Sequence, residues 1–281
     1  SSDLTTITDR YAPLHQTVIA GTAGEAIHAL DGILGHDSGV NIGSFHTDGG
    51  GVSDIVFAVT SRLGLSFEPR IPRLSDRRLY AFEPKARYGK LAPLFGQRLD
   101  KELIRSHWDD VDPMIEAMRN RVVTPSLILK KLSAYRQQNS LATALREIGR
   151  VERTLFTLRW FEDPTLRKYV TAELNKGEAR NTLTRAVAFH RLGRFRDRGV
   201  ENQQTRAAAL NLVTAAIILF NCRYLDRAVD ALGIRGTGEE PLLAQLSPLG
   251  WDHINLTGDY VWSDPAAFDA DGFLPLKVGQ R

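Results

Sequence analysis

The chain has very little cysteine, and this shortage excludes the disulfide-stabilised scaffolds. Its one cysteine, Cys222, cannot form an intramolecular disulfide. Because it lies in the apolar run 217–222, we expect a buried thiol in a protein of the reducing cytoplasm. The longest apolar run, residues 210–220, is broken by Asn211 and Thr214 and is too short to cross a bilayer, so we predict a core helix and no membrane partner. No charged leader precedes an apolar stretch, so no secretion signal is expected.

Several catalytic signatures are also missing. One cysteine and scattered histidines give no zinc-ligand spacing. The glycines at 49–51 are not followed by the Gly-Lys-Ser/Thr of a phosphate-binding loop, and there is no Gly-x-Ser-x-Gly elbow. These absences argue against a zinc site, a P-loop NTPase and an α/β-type serine hydrolase.

Charge is plentiful but unevenly distributed. The 281 residues are 43% hydrophobic and 25% charged, enough for one sizeable core with an appended or inserted subdomain. The formal net charge is only +3, yet residues 70–105 hold ten basic and four acidic side chains, and residues 150–200 hold twelve and six. Such blocks can follow a phosphate backbone. A solvated, ion-paired surface is the simpler interpretation of either block taken alone.

One strand-turn-helix unit carries the first candidate residue. Residues 38–47 roughly alternate polar and apolar side chains as a strand would, Asp48 stands at the end, and three glycines follow. The next apolar residues recur at three- and four-residue steps up to Gly64, which predicts a helix that packs back on the strand. Residues 65–71 and 78–82 are predicted as further strands.

Most of the remaining chain has helical patterning. The signals from about residue 100 to 172 are nearly all helical. Residues 174–192 predict another helix, which is interrupted by Gly193, and residues 204–232 predict a long amphipathic one. The second candidate acid, Glu178, lies on the first of these two helices.

Taken alone, neither acid identifies a function. An aspartate before three glycines is a common turn residue, and a glutamate in a charged helix is ordinarily a surface residue. Lys176, Arg180 and Arg185 lie close to Glu178 and are candidates to hold phosphates, Arg185 being two turns along the same helix face. A solvated helix surface is the alternative for these cations.

The sequence resembles the C-terminal catalytic region of the Tn3 family of bacterial replicative transposases. The resemblance covers roughly residues 5–262. Five runs in the family's order carry it: Thr-Asp-Arg-Tyr at 8–11, His-Thr-Asp-Gly-Gly at 46–50, residues 72–80, residues 174–180, and residues 246–260. The last run begins with Leu-Ser-Pro-Leu-Gly-Trp-Asp-His at 246–253. The resemblance implies an α/β fold that is helix-rich overall, with an RNase H-like core interrupted by a helical insertion.

This resemblance gives the chain a predicted domain plan. Residues 1–99 would be the first part of the RNase H-like core with its first strands missing, and 100–172 the helical insertion. Residues 173–262 would complete the core with C-terminal helices, and 263–281 would be a loosely ordered tail.

The resemblance also implies a chemistry for the two acids. Asp48 and Glu178 match the second and third members of an Asp-Asp-Glu triad that holds Mg²⁺, for which Mn²⁺ can substitute. The expected activity is cleavage at the terminal inverted repeats of a transposon and strand transfer into target DNA. The partners implied are DNA and a second subunit in a full-length homodimer, and the location is the bacterial cytoplasm.

One departure from the family pattern leaves alternatives open. Relatives carry the first acid in a Ser-Ser-Asp-Gly-like strand upstream of the segment matching residues 8–11. Here Asp3 is followed by Leu4 rather than glycine, and we interpret Asp3 as a chance match. The chain would then be an incomplete enzyme, or a catalytically inactive module that binds DNA or a transposase subunit. A general metal-dependent nuclease is a third hypothesis. The motif around Trp251 and His253 is expected to pack in the core.

Overall fold

The structure is a computed structural model, and it divides into two compact units. It describes residues 2–19, 24–49, 52–71, 73, 77–134, 139–190, 199–234, 245–259, 268–270 and 272–275. The units are Ser1–Gly177 and Glu178–Arg281. Gly193 and most of the predicted tail 263–281 lie outside the described residues, as do the side chains of residues 1–3.

The first unit contains two small sheets of opposite type. Strands β1 (Ser2–Ile7) and β2 (Pro13–Ile19) pair antiparallel, and β3 (Ser44–Phe45) and β4 (Ser66–Phe67) pair parallel. The strand predicted over 38–47 is thus only two residues long in the structure. Its partner β4 falls within the strand predicted over 65–71.

The described chain is dominated by helices. In order they are α1 (Glu25–Gly35), α2 (Asp54–Leu63), a 3-10 segment (Lys85–Leu94), α3 (Lys101–Ser106), α4 (Trp108–Arg119), α5 (Pro125–Ala134), α6 (Ser140–Glu162), α7 (Pro164–Val187) and α8 (Val200–Ala231). The expected helix-rich character is therefore confirmed, and the described sheets are small. The strand predicted at 78–82 is wrong, because Leu79 makes only an isolated bridge to Phe95.

Helix α2 is the element that the sequence predicted best. Ser53 caps its first turn, where the side-chain oxygen accepts a hydrogen bond from the Val56 amide at 3.3 Å. Gly64 ends it with φ of 79°, a left-handed conformation that glycine adopts without steric cost. The predicted helix closed by Gly64 is confirmed.

The core of the first unit forms where α2 packs on α6. Val56, Val59 and Leu145 are fully buried there. At Gly149 the helices are so close that a Cβ atom would lie 1.6 Å from the Asp54 carbonyl oxygen. Arg153 bonds the Asp54 carboxylate at 2.6 Å and secures the same crossing. The apolar patterns of residues 52–63 and 140–162 thus produce one contiguous core.

Helix α7 does not follow the predicted element boundaries. It begins at Pro164 and runs without a break through residue 173, whereas the sequence predicted a helix start near residue 174. The division between the compact units falls within this helix, after Gly177.

The second unit is built on α8 and the segment that follows it. Asn221 is buried, and its Nδ2 donates hydrogen bonds to the carbonyls of Pro248 and Gly250, both at 2.7 Å. Its Oδ1 lies 2.8 Å from His253 Nε2. These contacts give the His253 segment a structural role, but His253 is exposed and Trp251 is half-buried, so the expected packing of this motif in the core is wrong for His253. Cys222 is exposed, so its predicted burial is wrong.

Helix α8 is also the one described helix that is long and apolar enough to cross a membrane, judged by length and composition. The predicted apolar run was shorter than this helix. Core helices of soluble proteins pass the same test.

Candidate active site

Asp48 emerges from the sheet just after the β3–β4 ladder ends. The Phe45 carbonyl accepts a hydrogen bond from the Glu68 amide at 3.0 Å, and the Thr47 carbonyl accepts one from the Arg70 amide at 3.0 Å. The residue before Asp48 is therefore still held by the neighbouring segment. Asp48 itself is exposed, and its Oδ1 accepts a hydrogen bond from the Gly49 amide at 2.7 Å. Its second oxygen is available to a ligand as judged from the described residues.

The half-buried His46 and the buried Glu68 form a pair next to Asp48. His46 Nδ1 lies 3.3 Å from the Glu68 carbonyl oxygen and 3.7 Å from the Glu68 carboxylate. Ser66 donates its hydroxyl to that carboxylate at 2.9 Å. The edge of the Tyr169 ring packs on the His46 ring, with 5.3 Å between centroids. These contacts hold the chain two residues before the candidate acid in a single conformation.

A cavity of about 470 Å³ opens beside Asp48 within the first unit. Two segments of the chain line it with consecutive residues: 4–9, which includes most of β1, and 40–48, which includes β3. Since alternate side chains of a strand point to opposite faces, a surface lined by every residue in turn is a strand edge and not a sheet face.

Two helices complete the walls of this cavity. Helix α1 contributes Glu25, Ala29 and Ile33, and α7 contributes residues 169, 173, 174 and 177. Spacing of three and four residues places each set on one face of its helix. The cavity is therefore lined by residues of β1, the β3 segment, α1 and α7.

The backbone of β3 supports the same description. Its carbonyls at Gly43, Phe45 and Thr47 bond to the β4 side. Because bonding to a given neighbour alternates along a parallel strand, the amides of Ser44 and His46 lie on the opposite edge, and neither bonds a described residue outside the β3–β4 pairing. Unpaired edge groups beside a cavity are a template for another strand.

Glu178 lies on the exposed surface of α7 and is the first residue of the second unit. Its backbone carbonyl accepts a hydrogen bond from the Thr182 hydroxyl at 3.0 Å, a bond internal to the helix. A continuous helix of 24 residues gives this carboxylate a rigid support. It is therefore presented to solvent.

The three candidate phosphate-binding cations have different surroundings. Lys176 Nζ donates hydrogen bonds to Glu173 at 2.7 Å and to the Asp9 carbonyl at 3.2 Å. Burial opposes its charge, but the hydrogen bond and the charge of Glu173 outweigh that effect, so its pKa is raised. Arg180 is buried and bonds the Asn211 amide oxygen, whereas Arg185 is exposed.

Sequence reasoning missed two contributors to this region. Glu68 is a buried carboxylate that supports His46, and only the pairing of β3 with β4 brings them together. Lys176 contacts Asp9 across 167 positions of sequence. No local pattern signals either contact, although a charged residue inside a predicted strand, as Glu68 is, indicates a position that needs a partner.

The metal-binding potential rests on donor chemistry. Exposed carboxylates supply the hard oxygen ligands that Mg²⁺ prefers. No three His, Cys, Asp or Glu side chains within the described ranges converge as a metal site. Asp48 and Glu178 therefore fit as ligands by type, and a third acid is needed to complete an Asp-Asp-Glu set.

Comparison with known proteins places this geometry in a family context. The family described as "Tn3 transposase DDE domain" matches residues 2–260. The chain is 49% identical over 97% of its length to "Transposase for transposon Tn21" of Escherichia coli, and 47% identical over 98% to "Transposase for transposon Tn501" of Pseudomonas aeruginosa. It is 39% identical over 96% to "Transposase for transposon Tn1546" of Enterococcus faecium.

These relatives are much longer than the chain. It spans 28% of the Tn21 and Tn501 proteins and 27% of the Tn1546 protein. The similarity therefore concerns one region of each relative.

Proposed function

The chain belongs to the Tn3 transposase DDE domain family, and we propose that it is the catalytic region of a DNA transposase. Its activity is metal-dependent cleavage at transposon ends followed by strand transfer into target DNA. The observation that carries this proposal is the exposed Asp48, fixed at the end of β3 beside a strand-edged cavity, in a chain of this family.

Asp48 and Glu178 would act as ligands for Mg²⁺, with Mn²⁺ as a substitute. Two such ions would supply Lewis-acid stabilisation of the attacking and leaving oxygens in an in-line displacement at phosphorus. The residues of the chain would hold the ions and keep the strand end at Asp48 rigid. His46 and Glu68 support that rigidity by anchoring the segment that precedes the acid.

The finer fold that we propose is an RNase H-like core interrupted by a helical insertion. Three features support it: the parallel β3–β4 pair, the antiparallel β1–β2 pair, and the cavity that residues of both β1 and β3 line. One further strand in that cavity would join the two pairs into a single sheet. A strand that carries the first acid of the triad would bring it close to Asp48. The domain limits 1–99, 100–172, 173–262 and 263–281 belong to this proposal.

DNA would be the partner, as transposon inverted repeats and as target. Arg185, exposed near Glu178 on α7, is the best placed of the three helix cations to meet a phosphate. Lys176 and Arg180 would act mainly by supporting α7 in the unbound protein, because both already have partners. A homodimer of the full-length protein in the bacterial cytoplasm completes the proposal.

A second candidate function is a catalytically inactive module that binds DNA or another transposase subunit. No cluster of three His, Cys, Asp or Glu side chains occurs within the described residues, and this favours the inactive module for the chain acting alone. A strand-transfer assay with precleaved transposon ends and Mg²⁺ or Mn²⁺ separates the two functions. Joined product that disappears in Asp48→Ala and Glu178→Ala supports the enzyme, and DNA binding without product supports the module. Product that survives both substitutions contradicts the proposed site.

A further inference from the structure

The turn between β1 and β2 is unusually well fixed. The Thr8 amide donates to the Ala12 carbonyl at 2.9 Å, and the Tyr11 amide donates to the Thr8 carbonyl at 3.0 Å. The Thr8 hydroxyl oxygen accepts hydrogen bonds from the amides of Arg10 and Ala12 at 3.3 and 3.2 Å. Four hydrogen bonds within five residues leave this turn one conformation.

Tyr11 adopts a strained backbone conformation in this turn. Its φ is 65°, in the left-handed region that side-chain-bearing residues rarely enter. Such strain persists only where the surroundings over-determine it, and it concentrates at binding and catalytic sites. A glycine would relieve the strain, but it would remove the ring that packs near Lys176.

Helix α7 contacts the turn through Lys176. Lys176 Nζ donates to the Asp9 carbonyl at 3.2 Å and lies 5.9 Å from the centroid of the Tyr11 ring. Glu173 bonds the same ammonium at 2.7 Å. All of these residues belong to the first unit, so the turn and this part of α7 form one rigid support.

The side chain that this support presents is Arg10. It is exposed, and no hydrogen bond or ion pair joins its guanidinium to a described residue. The preceding residue, Asp9, lines the same cavity as Asp48. An unpaired guanidinium therefore stands on a rigid turn that borders the cavity of the candidate acid.

We propose that Arg10 binds a phosphate of the DNA strand that approaches Asp48. This inference rests on the proposed function. A guanidinium matches two phosphate oxygens with two parallel N–H donors. The rigid backbone reduces the entropy lost when the arginine is immobilised on DNA. The strained turn thus acts as a platform for a phosphate contact, a role that Lys176 cannot fill while it is bonded to Asp9 and Glu173.

The test is the salt dependence of DNA binding by the whole chain, measured in EDTA so that cleavage plays no part. Arg10→Ala is expected to weaken binding about five- to tenfold at low salt and to reduce the slope of log K against log salt by about 0.9, the value of one lost phosphate contact. Arg10→Lys should restore most of the slope but only part of the affinity, because a lysine contact is not bidentate.

Arg105→Ala is the matched control, since Arg105 is exposed but paired with Glu102 at 3.4 Å. It should change the affinity less than about twofold. Unchanged affinity and slope in Arg10→Ala, or an equal effect of Arg105→Ala, would overturn the assignment. Because no divalent metal is present, this binding result is independent of the strand-transfer assay. If Arg10→Ala leaves DNA binding unchanged while strand transfer still depends on Asp48, the Arg10 assignment is refuted and the proposed function is not.

Discussion

The two edges of β3 differ sharply, and the difference separates what folds the chain from what completes its site. One edge is paired with β4, and Phe45 stacks on Phe67 with 4.6 Å between ring centroids. Phe57 of α2 packs on the same Phe67 ring. The other edge faces the cavity beside Asp48 and carries unpaired amides. Packing is therefore concentrated on the β4 side, and our proposal places a further strand on the open side.

The largest predicted effect is on the open side. Asp48→Ala or Glu178→Ala in the complete transposase should reduce strand transfer at least ~10³-fold, since losing a metal ligand removes several kcal/mol of charge stabilisation. The thermal unfolding midpoint should change little, because both side chains are exposed. Gel-based quantification of joined product measures the effect.

Glu25→Gln is the control for that pair, because Glu25 is an exposed acid that lines the same cavity from α1. It should retain activity within about tenfold of the unchanged protein. If Glu25→Gln loses as much strand-transfer activity as Asp48→Ala, activity depends on the total negative charge of the cavity and not on Asp48 as a specific ligand.

The next effect tests the packed side. Gly149→Ala places a Cβ atom against the Asp54 carbonyl and should force α2 and α6 apart, lowering the free energy of unfolding by ~3 kcal/mol. Urea denaturation measures it. Gly177→Ala is the matched control: this helical glycine has nothing within 4 Å of an added Cβ, so alanine should raise stability by about 0.5–1 kcal/mol. Equal changes in the free energy of unfolding for the two variants would contradict the close crossing of α2 and α6.

Amide hydrogen exchange compares the two edges directly. The amides of Ser66, Glu68 and Arg70 donate to β3 carbonyls and should exchange at least ~10-fold more slowly than those of Ser44 and His46. Residue-resolved NMR exchange measures these rates. Adding the polypeptide that precedes this region in a full-length protein should protect Ser44 and His46. If they stay fast in the complete protein, no strand occupies the cavity.

The smallest effect is a pH dependence where α1 meets α5. Burial lowers the pKa of His28, the charge of Lys130 lowers it further, and Asp31 partly opposes both. The unfolded chain then binds the proton more readily, so stability is lost as pH falls through 6.5 and is unaffected well above it. The loss should be under about 1 kcal/mol.

His28→Gln should flatten this dependence between pH 7 and 5, as followed by denaturation at each pH. His190→Gln, at an exposed histidine, should leave the slope unchanged. A slope that survives His28→Gln would assign the effect to another group.

Local chemistry made part of this structure predictable. Ser53 and Gly64 bound α2 through a cap and a left-handed residue, signals that act within a few positions. The apolar spacing of α8 gave a long helix. Asp48 could be placed at a strand end because alternation stops at the glycines that follow it.

The remainder depends on contacts distant in sequence. The β1–β2 hairpin has no clear alternation, and its turn is held by Lys176, far along the chain. Burial of Arg180 follows from Asn211 on the next helix and cannot be seen in the charge pattern of α7. Cys222 was expected inside because its neighbours are apolar, yet it lies on the exposed face of α8. Its exposure depends on which face of the helix its position occupies, and not on how apolar its sequence neighbours are.

Iron-mediated cleavage tests the central claim that Asp48 and Glu178 serve one metal centre. Fe²⁺ would replace Mg²⁺ in the complete transposase, and ascorbate with peroxide would then cut the backbone near the bound ion. The predicted result is cleavage near both residue 48 and residue 178, suppressed by excess Mg²⁺ and lost at both positions in either Asp48→Ala or Glu178→Ala. Cleavage near only one of them, or at one position after the other acid is removed, would contradict the shared site.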